Sequence, residues 1–125
     1  MNAHVMAAAA YGVPNTAYKT PRLIEYELIS RITSRMRSAI KAQPFIFAAL
    51  AEAMHENRRL WVELAIDLAT PGNQLPDSLR LQLLGLAQFS LRHTDQVLDG
   101  RENAEVLVDI NLAVMRGLAG KAETT

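Results

Sequence analysis

The sequence contains no cysteine, which excludes disulfides, cysteine nucleophiles and thiolate metal sites. It also has no surplus of either charge. Thirteen Lys and Arg residues balance thirteen Asp and Glu residues, so the basic excess typical of nucleic-acid-binding proteins is missing. No apolar run approaches the roughly 20 residues of a membrane span. The short run VMAAAA near the start follows no Lys or Arg, unlike a secretory signal. We therefore expect a cytoplasmic protein that does not bind membranes.

Helical periodicity dominates the 125 residues, half of which are hydrophobic. Apolar residues recur at spacings of three and four, and no segment alternates with a period of two. Four such segments on short connections predict an all-α fold, a small four-helix bundle-like domain. We assign residues 1–19 to a loose N-terminal arm, residues 20–119 to the helical domain and residues 120–125 to a solvated tail.

Proline, glycine and capping residues mark the expected helix ends. Thr20 and Pro21 suit the cap and the first position of helix one, and Gly100 suits the C-terminal cap of helix three. Gly120 is expected to stop helix four. The predicted helices cover about residues 20–42, 44–69, 76–98 and 103–118.

Three polar residues interrupt the apolar faces of these helices. Asn57 lies one turn before Trp61, the only tryptophan, Asn111 lies on the apolar face of helix four, and Glu25 lies one turn before Ile29. Glu25 is in a first turn, where the helix dipole stabilises a carboxylate. A buried amide without a partner costs about 1–3 kcal/mol. The two asparagines are therefore expected to bond each other, the backbone or a trapped water.

Two apolar surfaces exceed what a simple bundle needs. Leu84, Leu91 and Leu98 widen the apolar arc of helix three beyond the roughly 100° of an ordinary surface helix. Val62 and Ile66 form a second, weaker strip on helix two. A central position for helix three is the simpler interpretation. The alternative is that these five residues are candidates for binding a partner.

No catalytic or metal-binding pattern is present. His4, His55 and His93 are far apart, and neither a HExxH motif nor a glycine-rich phosphate loop occurs. A lone helical histidine near a carboxylate is usually a surface or satisfied residue. We expect no metal, no cofactor and no enzymatic activity.

Four ordered motifs resemble the bacterial flagellar FlaF family. They are PRLIEY at 21–26, HENRRLW at 55–61, LPDSLR at 75–80 and DINLAVMRGL at 109–118. The resemblance covers about residues 18–119 and implies a small, helical, cytoplasmic, non-enzymatic protein of flagellum assembly. Such proteins promote flagellin production, typically opposite the regulator FlbT, and are thought to bind flagellin and help its secretion.

The resemblance also groups the polar residues, because most of them fall in its motifs. We expect a polar network that clamps the helices around Trp61, with Tyr26 as a second core anchor. Its expected members are Arg22, Glu25, Asn57, Arg58, Arg80, Asp109 and Asn111.

Two other functions stay open at this point. One is a regulator that binds flagellin mRNA directly, which the neutral charge disfavours because phosphate contacts need clustered cations. The other is a structural oligomer that buries the extra leucines of helix three. The sequence does not determine the oligomeric state, or which surface binds flagellin.

Overall fold

Four helices make up most of the described part of the chain. The structure, a computed structural model, describes the backbone of residues 21–124 and the side chains of residues 26–117. The predicted arm therefore lies outside the described residues. The helices are α1 (Pro21–Lys41), α2 (Phe47–Ala69), α3 (Asp77–Leu98) and α4 (Glu105–Thr124). No strand occurs in residues 21–124, which confirms the predicted all-α, four-helix fold. None of the described helices has both the length and the hydropathy needed to cross a bilayer.

The helices pack as two close pairs. α1 lies against α4 and α2 against α3, while α1 also packs on α2 and so joins the pairs. Of the adjacent helices, α3 and α4 contact each other least. Neighbours run antiparallel, because Met36 near the end of α1 packs with Leu107 near the start of α4. The connections after α1 and α3 therefore lie at one end of the bundle, and the connection after α2 lies at the other.

Two apolar clusters fill the core, one towards each end. The first is built around Met36, Met54, Val97 and Leu107. The second contains Ile29, Ile32, Leu60, Trp61, Ala87 and Met115. Trp61 is almost fully buried, as expected for a core anchor, and Tyr26 packs against the same cluster while only partly buried.

Hydrogen bonds explain the end of α3 and the start of α4. Gly100 has φ +78°, its N–H donates to the Val97 carbonyl at 2.9 Å, and the Arg101 N–H donates to the Gln96 carbonyl at 2.9 Å. This is the Schellman arrangement, which favours glycine at the left-handed position. The predicted cap at Gly100 is confirmed. At the next helix, the Asn103 Oδ1 accepts from the Glu105 N–H at 3.1 Å.

Two predicted boundaries were wrong. α2 begins at Phe47 rather than near Pro44, because Ile46 has extended backbone angles (φ −123°, ψ 110°) that separate the proline from the helix. α4 does not stop at Gly120 but continues to Thr124. One glycine costs a helix only about 1 kcal/mol. The flanking alanines, lysine and glutamate favour helix, and no proline follows.

Candidate functional site

A layer of hydrogen-bonded polar side chains separates the two apolar clusters. Its centre is Asn111 on α4, whose Nδ2 donates to Asn57 Oδ1 on α2 at 2.8 Å and to Thr33 Oγ1 on α1 at 3.0 Å. The Asn111 Oδ1 accepts from Trp61 Nε1 at 3.0 Å. Thr33 also donates to the Ile29 carbonyl at 2.6 Å. All four side chains are buried, so three helices meet at one amide.

Helical spacing places these residues between the clusters. Asn57 lies about one turn from both Met54 and Trp61, and Asn111 lies one turn from both Leu107 and Met115. Asn57 and Asn111 therefore lie on the same helix faces as the apolar residues of the two clusters. The direct bond between the two asparagines is one of the arrangements that the sequence left open.

The layer is not fully satisfied. Within the described part of the chain, Asn57 Nδ2 is buried without a hydrogen-bond partner. The same holds for two atoms on α3, Ser90 Oγ and Arg80 Nε. Ser90 lies on α3, where Thr94 is also buried and donates from Oγ1 to the Ser90 carbonyl at 2.6 Å. Asn111 thus uses both donors and its acceptor, whereas Asn57 uses only its oxygen.

The charged residues expected in this network lie elsewhere. Arg58 pairs with Asp95 at 2.8 Å and Arg80 with Asp77 at 2.7 Å, both near the surface, and Asp109 is exposed. Arg58 follows Asn57 by one residue and therefore points about 100° away from it. These three are not members of the buried layer. Arg22 and Glu25 lie outside the residues whose side chains are described.

Thr33, Ser90 and Thr94 are the buried polar residues that sequence reasoning missed. Thr33 lies four residues after Ile29 and three before Met36, so its position on the apolar stripe was readable. Serine and threonine are common on both faces of helices, however, because their hydroxyls can bond the preceding turn. Residue type alone therefore gave no signal.

The candidate partner-binding residues divide into two groups. Val62 and Ile66 on α2 are exposed, Ile66 to 62%, and Leu84 on α3 is half-buried. Leu91 and Leu98 instead pack against the core clusters. The broad leucine arc of α3 is therefore partly core and partly surface, and partner binding by its surface residues stays a prediction.

An exposed apolar strip results along the outer side of the α2–α3 pair. The Arg58–Asp95 ion pair shows which sides of the two helices meet there. Val62 and Ile66 follow Arg58 at four-residue spacing, which keeps them on that side of α2. On α3, Leu84 and Leu81 lie eleven and fourteen residues before Asp95, close to three and four helical turns, so they lie on the side of α3 that carries Asp95. Leu81 is 64% exposed. We call Val62, Ile66, Leu81 and Leu84 the α2–α3 strip.

The His, Asp and Glu side chains of the described residues form no metal-binding cluster. No group of three or more His, Asp or Glu side chains in this part of the chain is arranged to hold a metal ion. His93 is buried, its Nε2 lies 2.9 Å from the Asn103 carbonyl, and its ring stacks on Phe89. It is the satisfied histidine that the sequence suggested.

Comparison with known proteins gives one family. The family model described as flagellar protein FlaF matches residues 7–118. The match contains all four of the helical motifs noted in the sequence and most of the described residues. No curated protein and no solved structure matches the chain.

Proposed function

Since the chain belongs to the FlaF family of flagellar proteins, we propose that it binds flagellin in the cytoplasm, aids its secretion and promotes its production. The chain acts in this proposal by binding alone, without catalysis. The α2–α3 strip is the observation that carries it, because Val62, Ile66 and Leu81 are exposed and Leu84 is only half-buried.

The strip suits an amphipathic helical ligand. The terminal segments of flagellin are amphipathic and largely unfolded before assembly, and such segments bind by laying an apolar face on an apolar groove. Val62 and Ile66 are one turn apart, as are Leu81 and Leu84, so they match anchors at three- and four-residue spacing. Covering each exposed aliphatic side chain contributes on the order of 1–2 kcal/mol. A few such contacts suit a complex that must later release flagellin.

Purified flagellin tests the proposal directly. We expect it to bind the wild-type chain in isothermal titration calorimetry, and binding to disappear when the flagellin termini are removed. The Val62→Glu/Ile66→Glu double variant should lose most of the affinity, since it places two carboxylates on the apolar strip. Gln43→Glu/Gln96→Glu is the matched control, because both glutamines are exposed and lie off the strip.

Three results would overturn the proposal. They are a wild-type chain that does not bind flagellin, binding that survives removal of both termini, and equal affinities for the strip variant and the control. Tight, salt-sensitive binding of flagellin mRNA in a gel shift would replace the proposal with direct RNA regulation, because phosphate contacts weaken steeply with salt.

The effect on flagellin production passes either through the pool of free flagellin or through the regulator FlbT. Separate co-purifications with flagellin and with FlbT distinguish these routes. Recovery with flagellin alone supports regulation through the pool of free flagellin. Recovery with FlbT alone would indicate that the chain contacts the regulator rather than flagellin.

A further inference from the structure

A second, chemically different groove lies between α1 and α4. Its volume is about 550 Å³. Ser30, Ser34 and Ser38 line its α1 side at four-residue spacing, and Arg37 and Lys41 line the same wall towards the end of the helix. The groove lies on the α1–α4 pair, whereas the α2–α3 strip lies on the other helix pair. The two surfaces are therefore on opposite sides of the bundle.

The two cations are available for a partner. Arg37 and Lys41 are one turn apart and exposed, and no described carboxylate lies within ion-pair distance of either. Asp109 lies on the side of α4 that carries Leu112, a residue of the groove, yet it forms no ion pair with either cation. Among the residues whose side chains are described, none places a counter-charge in contact with the basic end of the groove.

The remaining walls describe the shape and polarity of an occupant. Leu112 and Met115 give the groove an apolar floor on α4. From Ser30 to Lys41 the wall extends about 16 Å, three helical turns, at 1.5 Å per residue. A single small anion would fill only the basic end of such a groove. The small serine side chains leave room for another backbone to approach α1.

We propose that this groove receives an acidic, amphipathic segment of flagellin. Carboxylates one turn apart on that segment pair with Arg37 and Lys41, and its apolar face rests on Leu112 and Met115. The inference rests on the proposed function, because flagellin is the partner, but it concerns a different surface and a different chemistry. It adds a charged contact to the apolar contact at the α2–α3 strip.

Charge reversal separates the two surfaces. We expect Arg37→Glu/Lys41→Glu to weaken flagellin binding by about tenfold or more, a loss of about 1.4 kcal/mol or more. Arg31→Glu/Arg101→Glu is the matched control, because it changes the net charge equally at exposed positions outside both the groove and the α2–α3 strip. The control should remain within about threefold of the wild type. Added salt should weaken the wild type more than the groove variant, because screening acts on charged contacts.

The outcomes distinguish the inference from the proposed function. If the wild type fails to bind flagellin, both fail. If the wild type binds and the groove variant binds equally well, the groove inference fails while the proposed function stands. Equal weakening in the groove variant and the control would also overturn the inference, because it would reflect net charge rather than the groove. The lone Trp61 reports by its fluorescence that each variant is folded.

Crosslinking identifies the occupant without disturbing the cations. The chain has no cysteine, so Ser34→Cys provides a single attachment point for a photoreactive label inside the groove. We expect the crosslinked flagellin peptide to carry acidic residues at three- or four-residue spacing. Gln96→Cys, exposed and outside the groove, is the control position. Crosslinks to a peptide without carboxylates, or no more crosslinking than at the control, would overturn the inference.

Discussion

The two buried asparagines make different numbers of hydrogen bonds, so removing each should cost a different amount. Asn111→Ala leaves Trp61 Nε1 without its partner and also removes the partner of the Asn57 oxygen. Thr33 keeps its bond to the Ile29 carbonyl. At about 1–3 kcal/mol for each buried group left unpaired, the loss should be about 3 kcal/mol. For a chain of this size that corresponds to a fall in Tm of about 12 °C.

Asn57→Ala is the matched control, because it removes the same atoms from the same layer. The Asn57 Nδ2 has no partner in the described structure, and Asn111 keeps its bond to Thr33 after the change. The hydrogen-bond loss should be about 1 kcal/mol, so the two variants should differ by about 2 kcal/mol. Urea unfolding followed by Trp61 fluorescence measures both. Equal losses, or a larger loss for Asn57→Ala, would refute the assignment of Asn111 as the centre of the layer.

Two further predictions concern backbone and surface charge. Gly85→Ala in α3 should stabilise the fold by about 0.5–1 kcal/mol, because nothing lies near the added methyl group, whereas Gly100→Ala should destabilise it by about 1 kcal/mol through strain at φ +78°. A thermal melt in which both variants shift in the same direction would contradict this. The coupling energy of Arg58 and Asp95 in a double-mutant cycle should stay below about 1 kcal/mol and fall with salt, since both side chains are substantially exposed. A larger, salt-independent coupling would show that the pair is structurally important.

The helices were predictable because, along most of the chain, the spacing of the apolar residues agrees with the positions of proline, glycine and capping residues. The Gly100 cap was readable since a left-handed residue after a helix favours glycine. The start of α2 was not, because a proline is compatible with a helix start but does not require one, and the extended Ile46 decided the boundary. The end of α4 was misjudged because one glycine weakens a helix without stopping it.

The buried layer was predictable only in part. Asn57 and Asn111 were identifiable as amides on apolar stripes, and the structure joins them directly. The participation of Thr33 depends on how α1 packs against α4, which periodicity does not report. Arg58 was grouped with the amides because it is adjacent in the motif. Adjacent residues on a helix point about 100° apart, so Arg58 does not contact the buried layer although it follows Asn57 in sequence.

The Asn111 amide connects the two helix pairs across the middle of the bundle. Thr33 and Asn111 belong to the α1–α4 pair, while Asn57 and Trp61 belong to the α2–α3 pair. A ligand that separated the two pairs would leave the Trp61 N–H and the amide groups of Asn57 and Asn111 without hydrogen-bond partners. It would have to supply replacement donors and acceptors inside the bundle. Binding of a ligand between the two helix pairs is therefore energetically unfavourable. Partners that touch only the outer faces leave this amide bridge intact, so the bundle can take up and release them while staying closed.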